Sequence, residues 1–128
     1  MANLINNASK PSILMVEDSH FYQQLIPPIL EKIGFSVTLV GNAEQAVELM
    51  NEASSCFRLI LMDIQLPGMN GLDASAVILK KHTVDIVAFS ADKLSNHEEK
   101  IKQLGIEYLK KTLSPKVLSE NLAPYLKA

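Results

Sequence analysis

Three runs of four apolar residues constrain this chain more than anything else in it. Ile13-Leu14-Met15-Val16 ends against Glu17-Asp18, Leu59-Ile60-Leu61-Met62 against Asp63, and Ile86-Val87-Ala88-Phe89 against Ser90. A run apolar at every position, rather than at alternate ones, suits a strand covered on both faces, as in a parallel sheet. Polar residues at the carboxyl ends of such strands fall on the edge where open α/β sheets take their ligands. If the first and third strands are neighbours, Glu17, Asp18 and Asp63 bring three negative charges together. That is unfavourable without a cation or a proton to relieve it. A hard, oxygen-seeking cation such as Mg²⁺ is the expected guest.

The intervening segments read as helices and two further strands, in alternation. Ser19 is an N-cap candidate for a helix over His20 to Lys32, which Gly34 ends. Phe35 to Val40 is the second strand. Asn42 caps a helix from Ala43 to Glu52, with Ala46, Val47, Leu49 and Met50 at helical spacing. After the third strand, Leu66 to Gly71 is a loop rich in turn-formers. Helices follow over Leu72 to Lys81 and, after the fourth strand, Leu94 to Leu104, where Gly105 stops the helix. Ile106 to Lys110 is the fifth strand, and Ser114-Pro115 opens the last helix. Five such βα units predict a parallel five-stranded sheet with helices on both faces. One conflict stands inside the first helix. Pro27-Pro28 costs roughly 3 kcal/mol per interior proline and removes backbone donors, which predicts a kink or a restart.

A length of 128 residues suits one domain, here taken as 12–128 after a polar segment, 1–11. A net charge of −2 offers no basic surface for nucleic acid. No apolar run approaches the roughly 20 residues that cross a bilayer, and the polar start has no signal-peptide pattern. The single cysteine, Cys56, forms no internal disulfide, has no basic neighbour to activate it, and fits a reducing, cytoplasmic setting.

The strand ends collect Glu17, Asp18, Asp63, Ser90 and Lys111. Taken singly, Asp18, Ser19 and Ser90 are ordinary cap residues, and Lys111 is an ordinary surface lysine. Together they suit phosphoryl transfer: a carboxylate to attack phosphorus, a cation and an amine to hold the spread charge, a hydroxyl to donate to one oxygen. The chain has no GxxxxGK[ST] loop and no GxGxxG. A phosphatase with aspartates two apart would need an acid at Gln65. His20, His82 and His97 lack metal spacing with Cys56 and are expected at the surface.

These residues resemble the receiver domains of two-component response regulators, over Ser12 to Leu126. The resemblance rests on ILMVED at Ile13 to Asp18, LILMDIQLPGMNG at Leu59 to Gly71, Phe89-Ser90-Ala91, and Tyr108-Leu109-Lys110-Lys111. It implies a flavodoxin-like (βα)5 three-layer sandwich with strand order 2-1-3-4-5. By the same resemblance Asp63 is the phosphoacceptor, and Mg²⁺ is held by Asp18 directly, by Glu17 through water, by Asp63 and by the Gln65 carbonyl. Ser90 is the switch hydroxyl, Tyr108 the rotameric switch, and Lys111 the phosphoryl-binding lysine. The implied donor is a phosphohistidine on a histidine kinase or histidine phosphotransfer protein. The implied role is signalling, with no nucleic acid or membrane contact by this domain and no catalysis beyond its own phosphotransfer and dephosphorylation. The alternative is an interaction module on this fold that works without phosphorylation; a small hydrolase lacks an evident base. MDIQLPGMNG and Ser114-Pro115 resemble the receivers of hybrid sensor kinases, so the chain reads as a free-standing receiver or a piece of a longer protein. One departure touches the site. Thr112 stands where the family usually has a proline, often after a cis bond, and a cis bond before a non-proline residue costs roughly 3–4 kcal/mol; a trans bond is expected here.

Overall fold

The structure, a computed structural model, describes residues 10–127; most of the polar 1–11 segment lies outside them. Five parallel strands are hydrogen-bonded in the order β2-β1-β3-β4-β5. They are β1 (Ser12–Val16), β2 (Ser36–Val40), β3 (Leu59–Met62), β4 (Asp85–Ser90) and β5 (Glu107–Lys110). The helices are α1 (His20–Ile33), α2 (Ala43–Ala53), α3 (Gly71–Lys81), α4 (Glu98–Leu104) and α5 (Pro115–Leu122). Topology and fold match the reading from sequence.

Alternation along each strand divides the core. Ile13, Met15, Leu59, Leu61, Val87 and Phe89 face one way and pack with Ile26 and Leu30 of α1 and Leu118 and Leu122 of α5. Leu14, Val16, Ile60, Met62 and Ile86 face the other, against Ala46 and Met50 of α2 and Ala74 and Ile78 of α3. Both faces are covered, which is why every position of β3 must be apolar. Each fully buried side chain of this size contributes about 1.5–3 kcal/mol.

Helix starts follow their caps. The Asn42 side chain accepts from the Gln45 N–H, Asn70 from Asp73 and Ser114 from Val117. Three details differ from the expectation. Ser19 precedes α1 but makes no side-chain cap; its N–H instead donates to Glu17 Oε2 at 3.1 Å. The helix expected over Leu94 to Leu104 is a 3₁₀ turn at Leu94–Asn96 followed by α4, with His97 between them in a non-helical conformation. And α1 runs through Pro27-Pro28 without restarting. Buried Ile26 and Leu30, on either side of the pair, fasten the helix to the sheet. Core packing thus overrides the local penalty.

Candidate functional site

The backbone ladder extends one residue past three strands and fixes the side chains that follow. Glu17 N–H donates to Val40 O at 3.1 Å, Asp63 N–H to Val16 O at 3.1 Å, and Lys111 N–H to Ser90 O at 2.8 Å. Because β1 and β3 are neighbours, their ends meet where the strand order reverses, the place such sheets bind ligands. One oxygen from each of Glu17, Asp18 and Asp63 lies within 4.8 Å of the others. Glu17 is 1% exposed and Asp63 4%; Asp18 faces solvent.

Lys111 reaches into this cluster. Its Nζ lies 2.8 Å from Glu17 Oε1 and 3.1 Å from Asp63 Oδ2. The neighbouring Lys110 is exposed, as alternation across a strand requires. The peptide bond after Lys111 is trans, like all those described, and Thr112 Oγ1 accepts from Ser114 N–H at 3.0 Å.

The electrostatics follow from burial. Desolvation first, then the charge of Glu17, raise the Asp63 carboxyl to about 6; Lys111 and a backbone hydrogen bond from Gln65 pull it back only in part. Burial disfavours the Lys111 ammonium, but its contacts with Glu17 and Asp63 outweigh that and raise its pKa. Glu17 Oε1 is buried, and among the described residues its one close polar partner is the Lys111 ammonium at 2.8 Å. Three carboxylates offset by a single ammonium fit a hard divalent cation with oxygen ligands, so this cluster can hold a metal ion.

The remaining expected residues stand around the cluster. Ser90 is 1% exposed, and its Oγ accepts from Asp92 N–H at 3.1 Å. The hydroxyl proton is left for another acceptor. Tyr108 is half-buried, and its hydroxyl donates to the Asp92 carbonyl. Burial, then the charge of Asp92, raise its pKa, so it is a donor at neutral pH. Gln65 is exposed, and its side chain donates to Asp92 Oδ2 at 2.6 Å. His97, expected at the surface, is half-buried and meets the same oxygen at 3.0 Å. His20 is exposed. Sequence reasoning missed Asp92, which joins the β3–α3 loop, the β4–α4 loop and Tyr108. Only its position two after Ser90 could have marked it. It also missed Tyr22, whose ring centroid lies 4.3 Å from Lys111 Nζ.

Comparison with known proteins accords with this geometry. The profile of the response regulator receiver domain matches residues 13–123. A hybrid signal transduction histidine kinase I of Dictyostelium discoideum is 32% identical over 84% of this chain, which spans 7% of that kinase. The autoinducer 1 sensor kinase/phosphatase LuxN of Vibrio campbellii is 33% identical over 95% of the chain and 14% of its own length. The polar-differentiation response regulator DivK of Brucella anthropi is 30% identical, with 90% of this chain and 95% of that protein covered. Among solved structures, the BeF3-activated receiver domain of Klebsiella pneumoniae RstA superposes with a TM-score of 0.80 at 28% identity, covering 91% of this chain and 99% of that one. Profile, relatives and strand order agree: the chain belongs to the response regulator receiver domain family of two-component signalling.

Proposed function

We propose that this domain takes a phosphoryl group onto Asp63 from a phosphohistidine of a histidine kinase or histidine phosphotransfer protein, in the cytoplasm. An Asp63 carboxylate oxygen attacks phosphorus, the P–N bond breaks, and its electron pair returns to the imidazole, giving an acyl phosphate. The observation that carries this reading is the buried Asp63 carboxylate with the Lys111 ammonium at 3.1 Å. Mg²⁺ would be held by Asp18, Asp63, the Gln65 carbonyl and, through water, Glu17, and when bound it supplies charge neutralisation at the phosphoryl oxygens. Lys111 turns its ammonium to one phosphoryl oxygen, and Ser90 donates its free proton to another. Drawing Ser90 toward the phosphoryl group loosens its contact with Asp92, and Tyr108, bonded to the same segment, moves with it. The surface formed by α4, β5 and α5 then changes its affinity for a partner.

Incubation with Mg²⁺ and acetyl phosphate tests this by intact mass. The chain gains one phosphoryl group, and Asp63→Asn gains none. Undiminished labelling of Asp63→Asn overturns the assignment.

A further inference from the structure

Tyr22 lies in the first turns of α1, half-buried against the core formed by β1, β3 and α5. Its ring faces the Lys111 ammonium at 4.3 Å from the centroid, well within cation–π range. Phe21 meets that ring edge-on, with centroids 5.3 Å apart at 88°. The Lys111 side chain is 8% exposed, so the attraction acts with little water to screen it.

Lys111 therefore has two kinds of hold. The carboxylates of Glu17 and Asp63 are charged partners, and both change during the reaction: Asp63 becomes the acyl phosphate, and both belong to the set that would receive the cation. The aromatic face carries no charge to lose, so it persists when the ion pairs weaken. It also lies where the residue after the lysine is Thr112, not a proline whose ring would fix the backbone.

We propose that Tyr22 is a positioning residue for Lys111, holding its ammonium at the site through the quadrupole of the ring rather than through its bulk or its hydroxyl. The proposal rests on the reading of Lys111 as the phosphoryl-binding lysine. Position 22 is replaced by Phe, by Leu, and by mono-, di- and trifluorinated phenylalanine, which keep the ring's shape while draining its negative face. Two quantities are read in each variant: the initial rate of labelling by acetyl phosphate with Mg²⁺, and, without Mg²⁺, the order of the Lys111 ε-methylene by ¹³C relaxation. Tyr22→Phe should match the wild type in both. Tyr22→Leu should lower the rate about 2- to 5-fold and loosen the methylene. The fluorinated rings should fall stepwise between them at unchanged melting temperature. A flat fluorinated series, or Leu equal to Phe, overturns the proposal. Lys111→Ala separates the two readings. If it labels as fast as wild type, the lysine's own assignment fails and the role of Tyr22 with it. If it is slowed while the fluorinated series stays flat, only the role of Tyr22 fails.

Discussion

Asp63 is a carboxylate placed where charge is unfavourable. Burial and Glu17 raise it to about 6, against roughly 3.9 for an unperturbed aspartate. Between those values the folded chain keeps a proton that the unfolded chain has lost. The folded state binds more protons there, so this group's contribution favours folding below about pH 4 and is lost as pH rises through about 6. Asp63→Asn resembles the protonated acid. In EDTA at pH 7.5 it should be more stable than wild type by on the order of 1–3 kcal/mol, and the gain should vanish toward pH 4. Urea melts at the two pH values check this, and equal stability at pH 7.5 would contradict a raised carboxyl. Added Mg²⁺ should stabilise the wild type far more than Asp63→Asn, because a ligand of the folded state adds to its stability. The paired lysines offer a second check. Lys111 lies 3.1 Å from Asp63 and Lys110 points to solvent. Lys111→Ala should therefore erase the backbone chemical-shift changes that beryllofluoride induces, while Lys110→Ala preserves them. The reverse pattern would shift the register at the end of β5 by one residue.

The loop after β3 shows how an element serves the site. At Gly71, where α3 begins, a Cβ would lie 1.8 Å from the Asp63 carbonyl oxygen and 2.9 Å from the Met62 side chain. Gly71 N–H donates to Ile64 O at 2.8 Å, so the loop folds tightly onto the strand end that carries Asp63. At Gly68 the backbone has φ +77°, which glycine adopts without steric cost, and Glu44 of α2 accepts from the next N–H, on Met69, at 3.2 Å. Gly71→Ala should cost about 1–3 kcal/mol in urea melts and slow labelling by acetyl phosphate. Full stability in that variant would mean that the close approach relaxes freely. The sequence revealed this loop only as turn-formers; the reason for its second glycine is a contact with another element. The same limit applies elsewhere. Leu94 to Leu104 has helical composition, yet His97 breaks the helical geometry there, and its ring meets Asp92 of the preceding loop. Tyr22 is an aromatic at core spacing on a helix, and no local pattern separates such a residue from one that faces a lysine across the fold.

At the scale of the molecule, what was legible is what repetition enforces. Fully apolar runs specify strands buried on both faces, their alternation with helices specifies parallel pairing, and the polar residues that end them converge without further instruction. Side-chain direction is not so specified. Glu17 turns inward while Asp18 faces solvent, although the two are adjacent. Surface apolarity was also illegible, because α1 reads as apolar on more than one side. Leu25 is 41% and Phe21 56% exposed; four apart on α1, they share a face that begins three residues after Asp18. On the proposed function a protein donor would bring its histidine to Asp63 and cover the ground around this end of the sheet, where an exposed leucine offers apolar area to a helix laid across it. Leu25→Ser should slow phosphoryl transfer about fivefold or more from a phosphorylated histidine phosphotransfer protein that labels the wild type, the cost of losing one well-buried contact. Phe21 is left in place because its edge supports Tyr22. Acetyl phosphate needs no docking surface, so its labelling rate should not change. Equal slowing with both donors would locate the damage in the site rather than the surface, and no slowing with either would remove Leu25 from the donor's footprint.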